Sequence, residues 1–399
     1  MKIIARPYYL QRLIPMINTE FIKVITGVRR SGKSYLLLML KNYLLKHDIE
    51  EQQVVYLNFE YPQYHKLLNY DALFEYLEDK VKSKEKTYLL FDEIQEVKDW
   101  QKLINGLRAA YNVDIYITGS NASLLSGELA TYLTGRYVEI KMMPLSFDEY
   151  LKFKETDHEQ EDASFSDYLK YGGFPSVVLQ TNAQLKMDVL SGIYDSVLLR
   201  DVDQRANIRN KALLSNISDY LLNNIGQLTN PGKIANTLKS KGLKVNRNTI
   251  ESYLKLLEDA FLFYKAPRYD IRGKKYLEGP SKYYVVDLGF IDSQLHKSRT
   301  NMGARVENLV YLALVEQGYN VFVGQFEGKE IDFVATNAEK TLYVQVTDHI
   351  PENSTRETDN LLHIPTGYQK IVVTNRKFDE GMIDGIPIVY ITDFLKGKF

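Results

Sequence analysis

Short runs of β-branched and aromatic residues alternate with longer stretches of helical periodicity over the first 145 positions. The runs are FIKVIT (21–26), VVYLNF (54–59), TYLLF (87–91), DIYIT (114–118) and YVEIKM (137–142). This alternation predicts an α/β unit with a largely parallel sheet, and a helix from about Lys33 to Leu45 behind the first strand.

Beyond that region the texture changes three times. KFKETDHEQEDASFSD (152–167) is polar and charged and reads as a flexible crossing; YGGFP (171–175) reads as a rigid turn, with helical pattern following to about residue 224. In NPGKIANTLKS, Asn230 is placed as an N-cap with Pro231 at the first helical position. VNRNTIESYLKLLEDA sets Ile250, Leu254 and Leu257 on one face, and a strand pair follows, FLFYKAPRYD and KKYLEGPSKYYVVD, joined by IRG. Helix, helix, two-stranded ribbon is the order of a winged helix-turn-helix. Residues 299–399 supply a helix, GARVENLVYLALVEQG, and the strands NVFVGQF, EIDFVAT, TLYVQVTD, KIVVTN and IPIVYIT, a small α/β unit of its own.

Composition narrows the classes. At 399 residues two to four domains are expected, and 45% hydrophobic content is that of a folded globular chain. The absence of cysteine excludes a disulfide framework, a zinc ribbon and a thiol nucleophile. MKIIARPYYLQRLI lacks the sustained apolar core and cleavage site of a signal peptide. The most apolar stretch, YLLLMLKNYLL (35–45), falls short of the roughly 20 residues a membrane span needs. A cytoplasmic home is the expectation. With 50 Lys+Arg against 51 Asp+Glu, any nucleic-acid surface must be local. Residues 226–285 are such a place, with 12 Lys and Arg against five acidic residues, a net charge of +7.

The chemistry concentrates in GVRRSGKS (27–34), which matches G-x-x-x-x-G-K-[ST] between a strand ending at Thr26 and a helix beginning near Lys33. Gly27, Val28, Arg29, Arg30, Ser31, Gly32, Lys33 and Ser34 then form a phosphate cradle of backbone N–H groups and a helix N-terminus. Lys33 reaches the β- and γ-phosphates of ATP, and the Ser34 hydroxyl is offered to Mg2+. Arg29 and Arg30 are not needed for this and face the winged helix, a partner or water. In YLLFDEIQ (88–95) Asp92 and Glu93 emerge at the end of a buried strand, Asp92 to hold Mg2+ through water and Glu93 to orient and deprotonate the attacking water. Ser120 and Asn121, ending DIYITGSNAS, either touch the γ-phosphate and the water or cap the next helix. Arg136 is either an arginine finger, delivered from a lid or a neighbouring subunit, or a solvated surface residue.

Taken in order, GVRRSGKS, LLFDEIQ, ITGSNASLLS, LTGRYVEIKMMPLSFDEYL and YGGFP resemble the prokaryotic AAA+-type ATPases whose C-terminal half is a domain of unknown function. The resemblance covers nearly the whole chain and implies an ATP-binding, ATP-hydrolysing core related to the archaeal-ATPase and STAND signalling branch. That ATPase branch adds a strand between the P-loop strand and the metal-carboxylate strand. The last unit resembles the PD-(D/E)xK nuclease fold, with Glu307, Asp332 and Gln345-Val346-Thr347 at the matching positions. Gln345 removes a charge and Thr347 removes the lysine, so the resemblance implies a fold kept for structure or recognition, the alternative being a metal-dependent DNA nuclease whose lysine comes from elsewhere.

The expected fold class is therefore α/β, a parallel P-loop NTPase sheet followed by a winged helix-turn-helix and a small α/β restriction-endonuclease-like unit. A P-loop ATPase domain (1–150) precedes a linker and helical lid (151–210), a winged helix (211–298) and a nuclease-like domain (299–399). Asn246, Arg247, Asn248, Ser252 and Lys255 on the second helix, with Arg272, Lys274 and Lys275 at the ribbon turn, are the groups offered to double-stranded DNA. The rival reading of the same unit is a lid or protein-contact module, Glu251 and Glu258 repelling phosphate. A homo-oligomer or a protein partner fits either.

Overall fold

The computed structural model describes the chain except for residues 1–3, 83, 126–132, 134, 204–207, 209, 296–300, 351–355 and 365–366. The expected boundary between 298 and 299 lies outside the described residues. Two compact units emerge: the chain up to Met143 together with Asp259–Phe261, and Pro144–Glu258 together with Leu262–Phe399.

In the first unit helix α1 (Pro7–Leu13) precedes β1 (Ile22–Thr26), α2 (Lys33–Lys46), β2 (Val54–Asn58), α3 (Tyr70–Val81), β3 (Thr87–Asp92), α4 (Trp100–Ala110), β4 (Val113–Gly119) and β5 (Tyr137–Lys141). The strands stand in the order β2-β3-β4-β1-β5, and every pairing is parallel. Period-two alternation divides the sheet's side chains between two cores. Ile25, Tyr88, Leu90 and Tyr116 pack with Tyr9, Leu13 and the α2 residues Leu36, Leu37 and Leu40. Ile22, Val24, Leu89, Phe91 and Ile117 pack with Leu73 and Leu77 of α3 and Trp100, Leu103 and Leu107 of α4. Helices on both faces explain why these strands are almost continuously apolar. The strand between β1 and β3 in space is β4.

The second unit opens with α5 (Phe147–Lys154), started by a Ser146–Glu149 capping box. Next comes α6 (Glu161–Tyr171), a helix where the sequence suggested a flexible crossing. Its polar, acidic start misled the reading: Glu161 and Asp162 meet the positive end of the helix dipole and Lys170 the other end, while Phe165, Tyr168 and Leu169 are buried. Then follow α7 (Pro175–Val178), α8 (Ala183–Ser196), α9 (Lys211–Asn223), α10 (Pro231–Ser240), α11 (Arg247–Asp259), β6 (Phe263–Asp270), β7 (Lys275–Val285), α12 (Gly289–Gln294), α13 (Met302–Glu316), β8 (Asn320–Phe326), β9 (Lys329–Thr336), β10 (Thr341–Thr347), α14 (Arg356–Leu362), β11 (Gln369–Thr374), β12 (Gly381–Ile383), β13 (Ile386–Tyr390) and α15 (Ile391–Leu395). Asn230 caps α10 by accepting the Lys233 N–H, and Ile250, Leu254 and Leu257 of α11 are buried together.

The second sheet is mixed and eight-stranded, in the order β12-β13-β11-β10-β9-β8-β6-β7. The ribbon β6–β7 is therefore part of it, because β6 pairs in parallel with β8 through Arg268, Tyr269 and Asp270.

The YGGFP turn receives a physical explanation inside this unit. Asp287 is buried beneath it and accepts the N–H groups of Gly173 at 2.7 Å and Gly289 at 2.9 Å. Gly172 has φ +70°, and a Cβ there would stand 1.6 Å from the Asp287 Oδ1. Glycine alone lets the backbone close on that carboxylate.

Candidate nucleotide site

Parallel sheets bind ligands beyond the carboxyl ends of their strands, and polar residues gather at that edge of the first sheet. β1, β2 and β3 end in Thr26, Asn58 and Asp92, Thr118 stands near the end of β4, and Asn58 lies directly opposite Asp92 in the register. Asp92 is fully buried. Its carboxylate accepts from Asn58 Nδ2 (2.6 Å), Thr118 Oγ1 (2.6 Å) and Tyr56 OH (3.2 Å), and from the Ser34 hydroxyl. Burial raises its pKa, and the hydroxyls of Thr118 and Ser34 work in the opposite direction. The structure thus brings together Ser34 and Asp92, the two residues expected to share a metal.

The loop between β1 and α2 approaches the chain leaving β5 very closely. A Cβ on Gly27 would stand 2.1 Å from the Met142 carbonyl oxygen, and Gly27 has φ +146°. Arg6, buried at 3% exposure, donates from Nη1 to the carbonyls of Ser31 (2.8 Å) and Met143 (2.9 Å), tying the loop to the same exit. Lys33 is buried and donates to the carbonyls of Gly27 (3.0 Å) and Val28 (3.1 Å), bonds it can exchange for phosphate oxygens. Among the described residues the buried Ser31 Oγ has no hydrogen-bond partner, an unspent polar group within the cradle. These features fit a nucleotide triphosphate on the loop and Mg2+ at Ser34 and Asp92.

Glu93 lies 4.0 Å from Lys33, Oε1 to Nζ, and its N–H is taken by Thr118 Oγ1 at 2.9 Å. Ser120 and Asn121 are buried at the end of β4, between β3 and β1, and the Asn121 carbonyl accepts the Leu124 N–H. Arg29 forms a two-pronged contact with Glu60, 2.9 and 3.1 Å, whereas Arg30 has φ +68° and is exposed. Arg136 is not brought to the loop within its own chain. Its carbonyl accepts from Ile22 at the start of β1, and its guanidinium donates to Asn105 at 3.0 Å. Thr26 is level with Lys141, so five residue steps of strand, roughly 16 Å, separate it from Arg136.

Sequence reasoning passed over Arg6, Asn58, Glu60, Gln95 and Thr118. Polar residues closing the β2 and β4 runs were the available signal for Asn58 and Thr118; Arg6 and Glu60 carry none without the fold.

In the second unit Glu307 on α13 and Asp332 on β9 converge, joined by a residue from β7. Lys282 Nζ lies 2.8 Å from Glu307, 2.9 Å from Glu330 and 3.5 Å from Asp332. Gln345 accepts the Asp332 N–H at 3.4 Å, while Thr347 turns away to the His349 carbonyl. Burial pushes the Glu307 carboxyl up, against the pull of Lys282. Lys282, one of the twelve basic residues of 226–285, is buried at 4% exposure and paired. Arg247, Asn248, Ser252 and Lys255 on α11 are exposed as expected, but the Asn246 side chain caps that helix through the Thr249 N–H. A groove of about 660 Å3 beside α11 mixes Arg247, Lys255 and Lys265 with Glu251, Glu258 and Glu278.

The fold of the first unit and this edge define an AAA-type P-loop nucleotide-binding protein. An AAA domain family model matches residues 19–151, and one for a domain of unknown function, DUF8612, matches residues 162–301. An uncharacterized protein of Haemophilus influenzae is 49% identical over 98% of each chain. Uncharacterized protein MJ1544 of Methanocaldococcus jannaschii is 34% identical over 84% of this chain and 77% of its own. The chain belongs to one family with these proteins, and in this chain the AAA match precedes the DUF8612 match. Among solved structures, the Walker-type ATPase PABY2304 of Pyrococcus abyssi matches with a TM-score of 0.49 at 14% identity, over 73% of this chain and 96% of that one. Among the described residues no helix is long and apolar enough to cross a membrane.

Proposed function

We propose that the chain is a Mg2+-dependent ATPase whose nucleotide state controls the C-terminal unit, and that this unit is a winged helix followed by a degenerate PD-(D/E)xK-like domain. The observation that carries the ATPase reading is the meeting of Ser34 with Asp92 at the sheet edge where Lys33 and Glu93 also stand. Lys33 would hold the β- and γ-phosphates, Ser34 and Asp92 the Mg2+, and Glu93 would take the proton of the attacking water. Bound Mg2+ supplies charge neutralisation on the phosphates. Asn121 is assigned to the γ-phosphate or the water, and Arg136, remote from its own loop, to a neighbouring subunit's nucleotide. Single-turnover hydrolysis by wild type and Glu93→Gln tests this: a loss of about 100-fold or more is expected, and equal rates refute the role of Glu93.

Double-stranded DNA is the proposed partner of residues 226–285, through the exposed face of α11 and the turn between β6 and β7. The rival is a regulatory or defence switch acting on protein partners, favoured by the carboxylates interleaved in the groove beside α11. Metal-dependent DNA cleavage by the second unit has one observation on its side: Lys282 supplies from β7 the ammonium that Thr347 lacks. Against it, three carboxylates already engage that ammonium and Gln345 is uncharged. Plasmid incubated with Mg2+ or Mn2+, with Asp332→Ala as control, should stay intact; cleavage abolished by the substitution overturns the degenerate reading.

A further inference from the structure

Glu93 sits on a tight turn after β3 in an unusual backbone conformation, φ 55° and ψ 49°, the left-handed region that side-chain-bearing residues visit only when their surroundings hold them there. Thr118 fixes its backbone N–H. The carboxylate is fixed by a residue two positions on, because the Gln95 side-chain amide donates from Nε2 to Glu93 Oε2. That bond occupies one carboxylate oxygen and leaves Oε1 on the side of Lys33 and the phosphate loop.

The other end of the Gln95 amide is informative. Its Oε1 is buried and has no hydrogen-bond partner among the described residues. It lies beside Gly119, the last residue of β4, where a Cβ would stand 2.9 Å from it and 2.7 Å from a Leu124 methyl. A buried acceptor left unmade is unfavourable, and a free glutamine would rotate to satisfy it. Gln95 instead keeps the orientation that presents its donor to Glu93. The opposite orientation would set carbonyl oxygen against carboxylate oxygen.

We propose that Gln95 is the positioning residue for Glu93: it ties Oε2 so that Oε1 alone faces the phosphate loop as the proton acceptor. This rests on the ATPase reading above. A general base works only when held in reach of the proton it removes, and losing a supporting partner lowers turnover more than it lowers substrate affinity.

Gln95→Glu keeps the shape and removes the donor; Gln95→Ala removes both. Either should slow single-turnover hydrolysis about tenfold or more, with the dissociation constant for a fluorescent ATP analogue unchanged. The double variant Glu93→Gln/Gln95→Ala should be no slower than Glu93→Gln alone, since Gln95 acts through Glu93. A nucleotide-free measurement stands beside these: in protein labelled with 15N-glutamine, the Gln95 side-chain resonance, assigned by its absence in Gln95→Glu, should shift in Glu93→Ala. Wild-type rates in both Gln95 variants, additive losses in the double variant, or an unmoved resonance each overturn the inference. If Glu93→Gln hydrolyses at the wild-type rate, the base role of Glu93 fails first and its positioner falls with it; a normal Glu93→Gln defect with silent Gln95 variants sinks the positioning role alone.

Discussion

Asp287 shows how one side chain can set the pH response of a unit. Burial drives its pKa up to about 7, against the backbone N–H groups of Gly173, Gly289 and Phe174, which favour the charged form. In the unfolded chain an aspartate titrates near ~3.9. Between those values the folded state binds a proton the unfolded state has lost, so stability falls as pH rises from about 4 to about 7 and levels off beyond. The full swing is at most about 4 kcal/mol at ~1.4 kcal/mol per unit. Chemical denaturation from pH 5 to 8 should show the second unit weakening toward neutrality. Asp287→Asn should flatten the slope, because an amide keeps one charge state across this range. A slope unchanged in the variant would remove Asp287 as its source. Legibility at this scale followed local grammar. Gly27, Lys33, Ser34 and Asp92 announce themselves by spacing, whereas the partner of YGGFP lies over a hundred positions on, where VVDLG carries no motif of its own.

Secondary structure was legible wherever periodicity and capping agreed, as in α2, α10, α11 and the strands of both sheets other than β12, whose three residues, Gly381–Ile383, carry no alternation to read. It misled where a charged helix start mimicked a linker, in α6. Strand membership was the harder matter. The β6–β7 hairpin is plain in the sequence, but its pairing with β8 depends on register between distant segments. That pairing changes what β7 offers: Tyr276 and Lys275 are exposed, while Lys282 faces Glu307, Glu330 and Asp332. The basic groups of this hairpin should therefore fall into two kinds. Reversing the charge of Lys274 and Lys275 should weaken binding to duplex DNA and flatten its dependence on salt by about one unit per lost phosphate contact. Lys282→Met should leave that slope alone and cost about 3 kcal/mol of stability, because Glu307 and Asp332 then stay buried without their cation. Gel shifts over a salt series and urea denaturation separate the two; a Lys282→Met protein as stable as wild type would contradict the ion cluster.

At the scale of the whole molecule, each unit has its own sheet and its own buried core, so heating should report on them separately. Nucleotide that binds only the folded first unit stabilises it by mass action, about 2.7 kcal/mol at a hundredfold excess over Kd. That much follows from binding alone and says nothing about control. Control requires that the nucleotide distinguish two states of the rest of the chain, and the coupling must then be reciprocal. If nucleotide state governs the C-terminal unit, Mg2+-ATP should move the calorimetric transition of that unit as well, and Lys33→Ala should abolish both shifts. By the same linkage, a ligand of the second unit should change ATP affinity by the factor with which ATP changes its own. Calorimetry with and without Mg2+-ATP, followed by titration of the fluorescent nucleotide in the presence of duplex DNA, measures both sides of that equality. A shift confined to the first transition, with ATP affinity indifferent to DNA, would leave a nucleotide-binding AAA domain and a second unit that share a chain without sharing a switch.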